Sequence, residues 1–115
     1  MTVHDDRVSL RHMLDHSREA VAFVRGKSLN DLERDRLLQL ALMRLVEIVG
    51  EAAGRVSAPM RASIAEVPWP HVVGMRNRIA HGYDVVDLKV LWDTATDDLP
   101  PLIQVLERIL ADRQR

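Results

Sequence analysis

"LLQLALMRLVEIVGEAAG", residues 37–54, decides the fold. Leu37, Leu38, Ala41, Leu42, Leu45, Ile48, Val49 and Ala52 recur at the three- and four-residue spacing of one helix face. Extended back to Asn30, with Glu33 three residues on as a capping partner, the pattern predicts a helix over 30–54. Such a helix is roughly 37 Å long at about 1.5 Å per residue. In a chain of 115 residues only other helices can cover so long a stripe, and this one is broad enough to meet more than one neighbour.

Towards the N-terminus, Leu10, Met13, Leu14, Ala20, Val21 and Val24 form a second helical stripe, predicting a helix from Asp5 to Arg25. Gly26 is its stop signal, and Ser28 or Asn30 caps the helix that follows. Towards the C-terminus, Gly54, Pro59, Pro68 and Pro70 punctuate a connector with no sustained period. It has room for one short helical turn around Arg61–Ala65. Pro70 opens a third helix that runs to Ala80 or His81 and ends at Gly82. The last helix starts near Val86 or Asp87 and continues through Leu91, Trp92, Ala95, Leu99, Leu102, Leu106 and Leu110. Pro100 and Pro101 interrupt it, yet the apolar phase carries across them, so one kinked helix is expected and two are the fallback. Trp69 and Trp92 belong at the edges of the core. The expected architecture is all-α: a single domain over residues 1–115, an up-and-down bundle of four or five helices. Pairing with a second copy as a symmetric homodimer would cover the wide stripe.

Composition narrows the function. There is no cysteine, which removes disulfides, thiolate catalysis and thiolate metal sites and suits the reducing cytoplasm. No apolar run approaches the roughly 18 residues of a membrane span, and the first residues lack a secretory apolar segment. Sixteen Lys and Arg against seventeen Asp and Glu give a formal charge of -1, too little for bulk electrostatic capture of nucleic acid. The charge is nevertheless uneven. Residues 55–83 hold four arginines and one glutamate, whereas residues 84–101 hold five aspartates and one lysine. A nucleic-acid role must therefore rest on a local site.

The stretch that could be such a site is "GMRNRIAHGYD", residues 74–84. On a regular helix Val72, Met75 and Ile79 share the inward face, leaving Asn77, Arg78 and His81 outward and Arg76 on the flank of the core. Arg76 there requires a partner, and Glu47 or Glu51 on the long helix can supply it. Asn77 and His81 are i,i+4 neighbours, but Arg76 and His81 lie about 140° apart around the axis. For those two to work on one atom, either the helix end unwinds at Gly82 or the site draws on two subunits. Each residue also has a plain structural role: a C-terminal cap for His81, a solvated charge for Arg78, a lid on the turn for Tyr83. His71 reads as a surface residue. His12 and His16 are an i,i+4 pair short of a zinc set, and no metal is expected.

A guanidinium, an imidazole, an amide and a phenol, with neither thiolate nor metal set, best serve cleavage of an RNA phosphodiester. His81 would move protons to or from the sugar oxygens, and Arg76 would hold the phosphate and offset its growing charge. The 2′-hydroxyl is the internal nucleophile, which makes such a site selective for RNA.

"RNRIAHGYD" carries Arg76, four residues, His81, one residue and Tyr83, an R-x4-H-x-Y pattern that resembles the HepT-like family of the HEPN superfamily, long carried as the domain of unknown function DUF86. "LMRLVEIVGEAAGRVS" (42–57), "VPWPHVVGMRNRIAHGYDVVD" (67–87) and "LWDTATDDLPPLIQVLERIL" (91–110) resemble it in order and spacing. The resemblance implies a helical bundle whose symmetric dimer brings two such segments into one cleft. It further implies a metal-independent endoribonuclease toxin without cofactor, with Arg76 and His81 catalytic and Asn77, Tyr83, Arg78 and Glu47 supporting. The implied partner is a minimal nucleotidyltransferase antitoxin that transfers AMP from ATP to Tyr83. The alternative is a non-catalytic helper subunit that binds a nucleotide or substrate for that nucleotidyltransferase.

Overall fold

A computed structural model describes residues 5–79 and 86–113, the side chains of the last two excepted. Its regular elements are helical: α1 (Asp6–Val24), α2 (Leu29–Arg34), α3 (Arg36–Arg55), α4 (Ala58–Ser63), α5 (Trp69–Val73), α6 (Met75–Ile79), α7 (Leu88–Asp93), a π turn (Thr94–Asp98) and α8 (Leu99–Arg113). α1 packs along both α3 and α8, while the short α5 and α6 lie on α3 and α2 lies against α7. The core these elements share is aliphatic. Leu10, Met13 and Leu14 of α1 meet the buried faces of α3 (Leu42, Val46, Val49) and α8 (Leu99, Leu106). Each such leucine contributes about 1.5–3 kcal/mol by leaving water.

α1 agrees with its sequence pattern, because Asp5 caps it by accepting from the Arg7 N–H at 2.9 Å. The next carboxylate works at longer range: Asp6 accepts from the Ser57 N–H at 2.9 Å and the Ser57 hydroxyl at 2.6 Å, tying the start of α1 to the start of α4. Gly26 takes a φ of 75°, the left-handed conformation that stops α1.

Two expected helices are divided, and a short turn is shifted. The helix expected over 30–54 breaks at Asp35, an extended residue whose carboxylate caps α3 through the Leu38 N–H at 3.0 Å. The break turns α2 so that Leu32 is buried against α7. It also leaves Leu37, a member of the expected stripe, 78% exposed. The capping box is Ser28 with Asp31, not Asn30 with Glu33, because α2 begins at Leu29. The third helix divides at Gly74 into α5 and α6. The short turn in the connector lies at Ala58–Ser63, slightly earlier than expected.

At Pro100 the chain does not break. Residues 88–113 are continuously helical, and the proline problem is absorbed one turn earlier by the π turn, where the Leu99 N–H donates to the Thr94 carbonyl. The wider turn accommodates rings that cannot donate and would oppose the preceding carbonyls. Within and just before the π turn, Thr94 Oγ1 donates to the Val90 carbonyl at 2.8 Å and Thr96 Oγ1 to the Trp92 carbonyl at 2.9 Å. The single kinked helix is thus the better of the two expectations. Trp69 is buried and Trp92 half-buried, as edge positions require.

Candidate functional site

The candidate segment is positioned from α3. Gly50 lies where α5 crosses: a Cβ there would stand 3.4 Å from the carbonyl oxygens of Val72 and Val73, so its absence lets α5 sit close. The entry to α5 is held by a clasp. Trp69 Nε1 donates to the carbonyls of Arg61 and Ile64, both at 3.1 Å, and the Arg61 guanidinium stacks 5.7 Å above the indole. Arg61 also donates to the carbonyls of Val56, Ala53 and Gly54 at 3.0–3.1 Å, covering the acceptors that the end of α3 leaves open.

From that anchor Val72, Met75 and Ile79 point inward and are buried, and Arg76, Asn77 and Arg78 are exposed. Apart from Arg76, this is the division helical periodicity requires, and the turn at Gly74 does not disturb it. The Gly74 carbonyl accepts from the N–H groups of Asn77 and Arg78, so the two short helices follow one another almost directly.

Arg76 pairs with Glu47: Nε stands 3.1 Å from Oε2. Of the two expected partners Glu47 is the one reached, and Glu51 instead faces Arg44 at 3.6 Å. The expected flank position is corrected, because the Arg76 side chain is 62% exposed while Glu47 is 26% exposed. α6 is short and peripheral, so its flank opens to solvent. A pair this exposed contributes only about 0–1 kcal/mol to stability. What it does is aim a guanidinium at the surface.

Arg78 takes the opposite side. Its Nη2 lies 3.1 Å from His71 Nε2, and the same nitrogen lies 3.0 Å from Asp98 Oδ2 in the π turn. His71 is therefore more than the surface residue its position suggested, and Asp98 was not among the expected site residues. The spacing of seven between His71 and Arg78, two helical turns, was a usable signal. The link to Asp98, 27 residues away, was not legible locally. His71 and Asp98 also line a largely apolar cavity of about 210 Å³ with Val67, Val72, Met75 and Leu102.

His81 and Tyr83 lie outside the described residues. The described backbone on either side is joined, since the Asp87 N–H donates to the Ile79 carbonyl at 2.8 Å, and Asp87 caps α7 through the Val90 N–H at 3.0 Å. His12 and His16 meet edge to face with centroids 5.9 Å apart, and His16 Nδ1 lies 2.7 Å from the His12 carbonyl. Among the described residues no group of three or more His, Asp or Glu side chains could hold a metal ion, and no helix is long and apolar enough to cross a membrane.

Residues 13–109 match the family model described as ribonuclease HepT-like. A protein of Caldanaerobacter subterraneus subsp. tengcongensis named "Putative RNase" is 32% identical over 90% of this chain and 93% of its own length. A "Probable ribonuclease HepT" of Thermococcus cleftensis is 33% identical over 76% of this chain and 79% of its own. A "Putative RNase" of Methanocaldococcus jannaschii is 27% identical over 93% of this chain and 98% of its own. No solved structure matches. With a family match spanning nearly the whole chain and an all-α fold to accompany it, the protein belongs to the HepT-like, HEPN-like ribonuclease family.

Proposed function

We propose that this chain is a metal-independent endoribonuclease, the toxin of a toxin–antitoxin module, acting in the cytoplasm as a symmetric homodimer. The observation that carries the reading is the placement of Arg76. Its guanidinium is aimed by Glu47 on the same outer face of α3 that leaves Leu37 and Leu40 exposed, at 78% and 44%. A second copy covering those leucines would bring its own motif alongside this one, and Arg76 and His81 would then serve one phosphate from two chains.

In the proposed reaction the imidazole of His81 takes the proton of a ribose 2′-hydroxyl as that oxygen bonds to the adjacent phosphorus. The bond from phosphorus to the 5′-oxygen breaks, and the leaving oxygen receives a proton from an imidazolium in the same cleft. Arg76 holds the phosphate and stabilises the charge on its oxygens, and Asn77 supports the substrate. The products are a 2′,3′-cyclic phosphate and a 5′-hydroxyl. A minimal nucleotidyltransferase antitoxin would silence the site by attaching AMP from ATP to Tyr83, releasing pyrophosphate. The added phosphate repels RNA and the adenosine fills its place.

The test is RNA digestion in excess EDTA. The wild-type chain is expected to cut and His81→Ala to be inactive with an unchanged helical spectrum; cutting that survives the substitution defeats the assignment. Nucleotide binding without RNA products would favour the helper-subunit reading. A monomer mass at micromolar concentration removes the shared site, and peptide mass after incubation with ATP and the partner must place AMP on Tyr83.

A further inference from the structure

Two arginines leave α6 in opposite directions, and only Arg76 has a part in the mechanism above. Arg78 folds back along its own helix. It crosses Gly74 so closely that a Cβ there would stand 3.4 Å from Nη1 and 3.1 Å from the Pro70 carbonyl oxygen. The guanidinium then reaches His71 Nε2 at 3.1 Å, and that nitrogen faces Asp98 Oδ2 at 3.0 Å. The carboxylate stands there because the backbone is widened into a π turn over Thr94–Asp98. That insertion displaces its residues from a regular helical register, and such turns recur at functional sites. Three elements therefore converge on one exposed arginine two residues from Arg76.

We infer that His71 and Asp98 are positioning residues that set the aim of Arg78, and that Arg78 holds a phosphate of the bound RNA next to the one cleaved. The inference rests on the ribonuclease reading and extends it to the substrate chain flanking the scissile bond. The chemistry of the contact supports a directing role. Nε2 has a single in-plane site: with a lone pair it accepts from Arg78, and with a proton it donates to Asp98. The imidazole stands between a guanidinium and a carboxylate, holding Arg78 near the surface in place of a direct carboxylate pair. The guanidinium keeps its charge and its outer N–H donors for an anion. Gly74 supplies the open floor this path requires.

A glutamine at 71 reaches about as far as Nε2 and carries an acceptor for Arg78 and a donor for Asp98 together, so His71→Gln is the conservative variant and His71→Leu the disruptive one. The experiment measures cleavage of a short single-stranded RNA by His71→Leu, His71→Gln, Asp98→Ala, Arg78→Ala and the double variant His71→Leu/Arg78→Ala. Thermal melting of the same set is recorded in parallel. His71→Leu and Asp98→Ala are expected to raise KM about fivefold with kcat within about twofold, and His71→Gln to restore most of the loss. The double variant should be no worse than Arg78→Ala alone. Effects of the two substitutions that multiply, or a loss in kcat rather than KM, overturn the inference. Should the ribonuclease reading itself fail, the wild-type chain will not cut at all, while the melting cycle still reports whether positions 71 and 78 are coupled.

Discussion

Arg61 and Arg76 stand at the two ends of one short stretch of chain and are put to opposite uses. Arg61 is half-buried, donates to three carbonyls at the end of α3 and lies over Trp69. Arg76 is 62% exposed and meets one carboxylate. The difference is a matter of surroundings. Where a helix ends against the core, its open carbonyls demand donors and consume the guanidinium. On a short helix at the rim nothing demands it, and a single partner orients it without using it up. A cation held that way is available to a ligand.

The comparison can be broken first at the clasp. Trp69→Ala is expected to cost about 3–5 kcal/mol in chemical denaturation, since it removes a buried ring with two hydrogen bonds and the surface under Arg61. A denaturation midpoint close to wild type would show that the clasp does not anchor α5. The counterpart is Arg76→Ala. There the loss of an exposed pair should cost at most about 1 kcal/mol of folding stability, while RNA cleavage falls by about 100-fold or more. A destabilisation on the scale of Trp69→Ala, or undiminished cleavage, would erase the distinction between the two arginines.

The smallest expected effect lies at another exposed polar contact, the cap of α2. The Ser28 backbone N–H, with the Ser28 hydroxyl second, holds the Asp31 carboxyl below its ordinary value. A value lowered by folding stabilises the native state above the ordinary carboxylate range, and that contribution is lost as pH falls through the lowered value. Asp31→Asn should therefore lower the melting temperature slightly near neutrality and converge with wild type in acid. A difference that grows in acid would contradict this sign.

Much of this architecture is legible along the chain. The limits of α1 follow from Asp5, the apolar stripe and Gly26, and the burial of Val72, Met75 and Ile79 follows from spacing alone. The break at Asp35 is not legible, because no glycine or proline marks it; the break serves Leu32, whose burial depends on α7. Nor is the π turn, since prolines at 100 and 101 announce a disturbance without saying how the backbone absorbs it. Within the site, periodicity put Arg78 on an outward surface but Arg76 on the flank of the core, and it offered Glu47 and Glu51 as equal partners. Only the register of α6 on α3 chose Glu47.

The order of apolar and capping residues by itself determined that this is a helical chain with one R-x4-H-x-Y segment, since helix periodicity and end signals act over a few residues. The tertiary structure alone decided what each arginine touches. Glu47 reaches Arg76, and Asp98 reaches Arg78 through His71, across separations at which no local rule operates. Those meetings are set by how α3, α6 and the π turn pack, and packing is a property of the whole core.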